Sequence, residues 1–170
     1  MLKQAIAGVA PPELGEVTIM TVWPTIAANP LGRLLGRLYS IRLGLGNILT
    51  IGNILALLTI PIALGLFAWG LAPFVSRRYR LTNRRLIVER GLAATDERSV
   101  LLSDFDAVQV DVLPGQGWYP AGDLIFRKGQ VETFRLSGVS RPETFKRTCL
   151  KAQQSFTGVQ RVMQHQAANP

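Results

Sequence analysis

Histidine, cysteine and clustered carboxylates are the side chains that most often carry catalysis, and this 170-residue chain is poor in all three. His165 is its single histidine and Cys149 its single cysteine. One cysteine excludes an intramolecular disulfide framework and any multi-cysteine zinc site. Asp104 and Asp106 could share a metal ion, but an aspartate-rich stretch between strands more often makes a turn. Gly115, Gly117 and Gly122 faintly echo a dinucleotide fingerprint, yet Trp118-Tyr119-Pro120 stands where a helix should start. The sequence contains no nucleophile elbow, zinc-protease helix, phosphate-binding loop or paired-cysteine motif. No catalytic residue, cofactor site or metal site is expected, and the chain reads as a non-enzyme.

Binding chemistry is better supplied. In RRYRLTNRRLIVER, residues 77–90, Arg77, Arg78, Arg80, Arg84, Arg85 and Arg90 face a single acid, Glu89. That +5 segment provides most of the chain's net charge of +8. The first five of these arginines are candidate contacts for membrane lipid, because basic clusters beside an apolar segment attract anionic headgroups. A nucleic-acid binder would instead carry a basic stripe along a recognition element, interleaved with aromatics. The excess here adjoins the apolar run, so nucleic acid is not an expected partner. Trp118, Tyr119 and Pro120 are candidate protein contacts, since exposed aromatics anchor interfaces. They could equally fold over an open sheet end.

The elements that position these residues can be read from charge and period. Residues 43–76 form an uncharged run of 34, in a chain whose mean hydropathy is +0.21. About 20 apolar residues cross a bilayer as one helix. The run therefore reads as a transmembrane segment, strongest over Ile51–Val75, with Trp69 and Phe74 near its end. Two short helices meeting at Pro61 are the alternative, each too short to span comfortably. A cleavable signal peptide fits poorly, because the run starts too far from Met1. Arginines immediately after the run place the C-terminal part of the chain in the cytoplasm. Before it, Leu31, Leu34, Leu35, Leu38 and Ile41 at helical spacing, with Arg33 and Arg37, suggest a helix lying in the interface. Gly32 and Gly36 weaken that helix in isolation. GEVTIMTVWPTI suggests an extended strand able to pair with the C-terminal sheet.

Beyond residue 76 the period becomes that of strands. Tyr79–Leu81 and Leu86–Val88 flank a turn at Thr82-Asn83, and Ser99–Ser103 reads as another short strand. Val108, Val110 and Val112 alternate with polar residues, as in a half-buried strand. Residues 123–126 and 131–136 flank a hairpin turn around Gly129. Ser140-Arg141-Pro142-Glu143 has the form of a capping box. Phe145, Cys149, Ala152 and Phe156 then mark one apolar helical stripe, on which Cys149 is a core residue rather than a nucleophile.

RYRLTNRRLIVERGL at 78–92, LLSDFDAVQVDV at 101–112, AGDLIF at 121–126 and FRLSGVSRPETF at 134–145 resemble, in order, the bacterial pleckstrin-homology (PH)-like family of membrane proteins. The resemblance implies a mainly β fold, a curved antiparallel sheet or barrel capped by a C-terminal α-helix, here preceded by a transmembrane helix. Members commonly have two membrane helices ahead of the domain, where this chain shows one long run. The expected organisation is an N-terminal segment at 1–42 with a strand and an interfacial helix, and a transmembrane segment at 43–76. The PH-like domain with its capping helix comes next at 77–160, and a tail at 161–170. The expected role is a membrane-anchored, non-catalytic scaffold or accessory subunit of the bacterial inner membrane, its C-terminal domain cytoplasmic. Its partners would be membrane lipids and a protein partner or second copy. Recognition of anionic headgroups by the arginine cluster is the alternative.

Overall fold

β-Branched residues open the described chain: Thr18, Ile19, Thr21 and Val22 favour extended backbone and form β1 (Thr18–Val22). The computed structural model describes residues 15–41, 44–45, 49–72 and 75–168. Lys3, Glu13, Arg42 and Phe74 lie outside them. After β1, Pro24 bridges to Val139, a turn of 3-10 helix covers Ile26–Ala28, and Pro30 starts α1 (Pro30–Tyr39). A two-residue pair, β2 (Gly44–Leu45) with β3 (Leu49–Thr50), leads into α2 (Ile51–Leu58) and α3 (Ile60–Leu71).

Six strands and one long helix build the rest of the described chain. β4 (Arg77–Thr82), β5 (Arg85–Arg90) and β6 (Thr95–Leu101) continue a four-stranded antiparallel sheet in the order β1-β4-β5-β6. β7 (Ala107–Asp111), β8 (Ala121–Lys128) and β9 (Val131–Ser140) form a three-stranded one. Gly129, at φ 60°, begins the two-residue turn between β8 and β9, a conformation glycine adopts without a Cβ penalty. Between the sheets, Leu81, Leu86, Leu124, Phe126 and Leu136 are buried, and Phe105 meets Phe126 edge-on at 5.0 Å. α4 (Pro142–Ala168) closes the core with Phe145, Cys149 and Ala152, the stripe its spacing indicates. Two antiparallel sheets and a C-terminal helix make this a PH-like, mainly β fold.

Several elements differ from the sequence reading. The long helix expected over the apolar run is broken: α2 and α3 bend by 60° at Thr59. Thr59 turns its hydroxyl back onto the Leu55 carbonyl at 2.7 Å and shares a 2.5 Å bond with the Tyr39 hydroxyl. Pro61, in the first turn of α3, lacks an N–H that the turn would leave unpaired anyway. No single helix among the described residues is long and apolar enough to cross a membrane; α2 and α3 reach that only together, across the bend. β6 begins earlier than expected, at Thr95, and Leu102-Ser103 fall in the next turn. Ser140 closes β9 instead of capping α4. Arg141, at φ 49°, takes that position, and its carbonyl accepts from the Thr144 and Phe145 amides. α4 continues to Ala168, through most of the expected tail.

α1 is docked on the protein, and its buried face is Gly32, Leu35, Gly36 and Tyr39, while Leu31 and Leu34 are exposed. The two glycines are contact surfaces. A Cβ on Gly32 would overlap the Ile26 carbonyl, and one on Gly36 would overlap the Gly115 carbonyl oxygen. Both obstacles are backbone, which cannot swing aside. Gly36→Ala should therefore lift α1 from the 114–120 loop and destabilise the chain by about 1–3 kcal/mol. Thermal unfolding of the full chain in mild detergent reads this as a lower Tm, and an unchanged Tm would contradict the packing described.

Candidate functional site: the junction of the apolar helices and the sheet

The β4–β5 hairpin carries all six arginines of the basic segment, and its register spreads them apart. Arg77 pairs with Arg90 at one end, while Arg84 and Arg85 sit at the other, beside the turn. Six residues of strand separate these ends by roughly 20 Å. Alternation then divides the set by face, since Arg78 and Arg80 point opposite to the inward Tyr79 and Leu81.

Most of these arginines already have acidic partners. Glu89 is only 2% exposed, and Arg78 and Arg80 both reach it, Arg80 Nε at 2.6 Å from Oε1. The Arg78 guanidinium also lies over the Trp23 ring, 6.0 Å from its centroid. Arg85 grips Glu16 with both Nε and Nη2, at 2.8 and 3.0 Å, and approaches Asp96 at 3.4 Å. Arg77 bonds Glu97 at 3.2 Å. Arg84, exposed beside the turn, has no ion pair among the described residues. The five candidate lipid contacts are thus distributed over two ends and two faces, and four of them are ion-paired.

Trp118, Tyr119 and Pro120 lie together in the 114–120 loop, which docks on α1. Trp118 packs edge-on against Tyr39 at 4.8 Å and against Tyr119 at 4.9 Å, with about half its surface still open. Pro120 is exposed. Arg37 Nε donates to the Pro114 carbonyl at 3.2 Å, alongside the Gly36–Gly115 backbone contact. Burial pushes the Tyr119 phenol up to about 12. Beneath the loop, the fully buried Gln116 accepts from the Leu113 amide and donates to Asp123 at 2.6 Å. Asp123 also accepts from the Gly138 amide at 2.9 Å. Nothing in the local sequence marks Gln116 and Asp123, because their role depends on strands meeting.

The remaining reactive groups are accounted for structurally. Cys149 is buried, and that burial pushes its thiol up to about 12, so it carries no thiolate at neutral pH. Asp106 accepts from the Gly129 amide at 2.9 Å, and Asp104 lies 3.9 Å from Lys128 Nζ, so both tie their turn to the β8–β9 hairpin. Among the described residues no three His, Cys, Asp or Glu side chains gather as a metal site. The His165 side chain lies outside what is described.

Where α3 crosses the mouth of the sheet there is a cavity of about 840 Å³. Leu66, Phe67 and Gly70 of α3 form one wall, and Ile26 and Trp23 another. Arg77, Arg90 and Tyr79 line its floor. The Tyr79 hydroxyl donates to the Ser137 carbonyl at 2.8 Å, and burial raises it to about 12. Arg90 enters the site here although its place in the basic run gave no reason to separate it from the others.

Two outcomes test this electrostatic arrangement. Glu89→Gln removes the shared acid and leaves two guanidiniums side by side. Deleting one partner of a buried pair costs about 3–5 kcal/mol, and partial exposure of these arginines reduces the expectation to about 1–3 kcal/mol. Denaturant unfolding measures it, and an unchanged midpoint would contradict the pairing. Glu16 is held below its ordinary value of 4.5, first by the hydrogen bond from Arg85. A carboxylate whose folded pKa is depressed stabilises the protein above the unfolded value and loses that contribution as pH falls through the folded one. The Tm of Glu16→Gln should therefore fall less than that of the parent between about pH 5 and about pH 3.

A family model described as Bacterial PH domain matches residues 38–153. No curated protein and no solved structure matches the chain. The matched span runs from the end of α1, through the bent helices and both sheets, into the capping stripe of α4. Domains of this kind are generally binding modules that take lipids or proteins. With most of its length covered and the two-sheet, one-helix architecture in place, the chain belongs to the bacterial PH domain family.

Proposed function

We propose that the chain is a membrane-attached, non-catalytic binding module, acting as a scaffold or accessory subunit that holds a protein partner or a second copy at the bacterial inner membrane, with its sheets in the cytoplasm. One observation carries the reading. β1 precedes the apolar helices, β4 comes after them, and the two strands are hydrogen-bonded neighbours from Thr18↔Thr82 to Val22↔Tyr79. A segment whose flanks share one sheet enters and leaves from the same side, so it cannot cross a bilayer once. At 1.5 Å per residue, α2 and α3 extend about 12 and about 18 Å, each short of the roughly 30 Å hydrocarbon core. Ile54, Leu57, Leu58, Ile62, Leu64 and Phe67 are nevertheless exposed on them, and contiguous apolar surface of this kind marks a membrane or partner contact. Together these favour a bent wedge set into the near leaflet.

The partner-binding part rests on Trp118, whose ring is held by Tyr39 and Tyr119 while one edge stays open. A pre-positioned aromatic loses little entropy on binding, as interface anchors require. Headgroup recognition by the whole arginine cluster is less well supported, because Arg78, Arg80 and Arg85 are engaged by Glu89 and Glu16.

Reporters fused to the two ends should both behave as cytoplasmic; ends on opposite sides would overturn the wedge. Purified in mild detergent, the full chain should retain a stoichiometric protein or self-associate, and Trp118→Ala should release it. A monomer that carries nothing would overturn the scaffold role.

A further inference from the structure

We infer that the β5–β6 turn, residues 91–94, is a second membrane-inserting element, with Leu92 entering the hydrocarbon of the leaflet that receives α2 and α3. The inference deepens the membrane-attached reading above and rests on it. The occupant is the lipid surface, met through an apolar side chain.

Gly91-Leu92-Ala93-Ala94 joins β5 to β6 without one polar or charged side chain. Turns ordinarily use Gly, Pro, Asn, Asp or Ser. Gly91, at φ 74°, follows that rule, but Ala94 is held at φ 53°, where glycine or asparagine sits more easily. Leu92 is 77% exposed, more than any other large apolar residue among those described. A single exposed leucine is ordinary on a protein surface, so its place decides what it means.

Hydrogen bonds fix that place. The Gly91 amide donates to the Ser76 carbonyl at 2.7 Å, and the Ser76 amide donates to the Ala72 carbonyl at 2.9 Å. Ala72 directly follows α3. The turn is thus held two hydrogen bonds from the base of the apolar helices. Trp69, in the last turn of α3, is 65% exposed, and Leu64 and Phe67 are exposed before it. Tryptophan settles at the level of lipid headgroups, so a helix inserted to that depth brings residues 91–94 to the bilayer. The other end of the sheets is different. Asn83-Arg84 and Gly129-Gln130 make its turns, and Lys128 Nζ donates to the Ser103 carbonyl beside them at 3.2 Å. The apolar turn is the one beside α3. Hydrocarbon asks for no hydrogen bonds, which these four side chains do not offer, whereas protein interfaces carry a polar rim. An uncommon backbone conformation that presents a leucine at this point therefore has a use in lipid.

The test uses the full chain reconstituted with vesicles of equal parts phosphatidylcholine and phosphatidylglycerol. A nitrobenzoxadiazole label is attached at Leu92→Cys, at Ala93→Cys or, as the far-end control, at Gln130→Cys. Cys149 is buried and does not compete for the label. On vesicles the emission from positions 92 and 93 should shift to the blue. Lipids with doxyl groups on their acyl chains should quench it severalfold more than emission from position 130. If Leu92→Cys fails to fold, the label at position 93 still decides the matter. Emission from 92 and 93 as aqueous as that from 130 would overturn the insertion. A blue shift that the doxyl lipids do not quench would mean that protein covers the turn, and would overturn it as well. Flotation is scored in the same samples. A chain that does not float with the vesicles overturns membrane attachment itself, whereas one that floats with an aqueous turn overturns only this inference.

Discussion

The ladder between β1 and β4 is the constraint on which the rest of the molecule depends. It joins strands about sixty residues apart in sequence and closes the chain into a loop that contains α1, α2 and α3. Closing so long a loop is entropically costly, though the cost rises only slowly with length. The backbone bonds are reinforced at the loop's base. Glu16, just before β1, is held by Arg85 and by the Thr82 hydroxyl at 2.9 Å, and Val17 exchanges hydrogen bonds with Asn83. At the other end of β1, Pro24 bridges to Val139, and the Thr25 amide donates to the Gly138 carbonyl at 2.8 Å. β1 thereby touches both sheets, and the helices after it start from a fixed point.

That closure changes the meaning of the basic segment. Beside a crossing helix, arginines need only decide orientation. Here the ladder returns the chain to the sheet it left, and the arginines are used individually within a folded hairpin. Arg85 holds the N-terminal acid, and Arg78 and Arg80 neutralise a glutamate that could not remain charged and buried alone. Arg77 and Arg90 stand at the end where α3 passes. The net charge of +5 describes all of them, yet position on the strand separates structural cations from those facing the cavity.

How much of this was legible in the sequence depended on how local the cause was. β7 could be read from alternating valines and the capping stripe of α4 from Phe145, Cys149 and Ala152, because those periods act over a few residues. The basic hairpin was equally readable, since Thr82-Asn83 announces a turn between two apolar pieces. The break at Thr59 was less so: Pro61 marked the place, but the Tyr39 hydroxyl that joins Thr59 comes from another helix. Gly32 and Gly36 lower helix propensity when counted locally, whereas their value lies in letting two backbones touch. A glycine's contribution to packing is an absent side chain, and only the neighbour reveals it. Gln116, Asp123 and Glu89 were unreadable as buried polar centres for the same reason, since strands distant in sequence supply their partners or their burial.

Depth relates the bent helices to the cavity. On the membrane-attached reading proposed above, helices of about 12 and about 18 Å would reach only into the near leaflet, with their base at the level of the headgroups. α3 ends a few residues before Arg77, so the Arg77–Arg90 pair lies near the base of the helices, and Leu66 and Phe67 line the same cavity from α3. A straight single span would have carried the apolar wall away from the arginines and exposed its far end on the opposite face. Bending at Thr59 keeps both halves beside the sheet, and the β1–β4 ladder fixes the direction from which they enter. The break that shortens the apolar run below a membrane's thickness is therefore also what allows one face of α3 to serve as a wall of the binding domain.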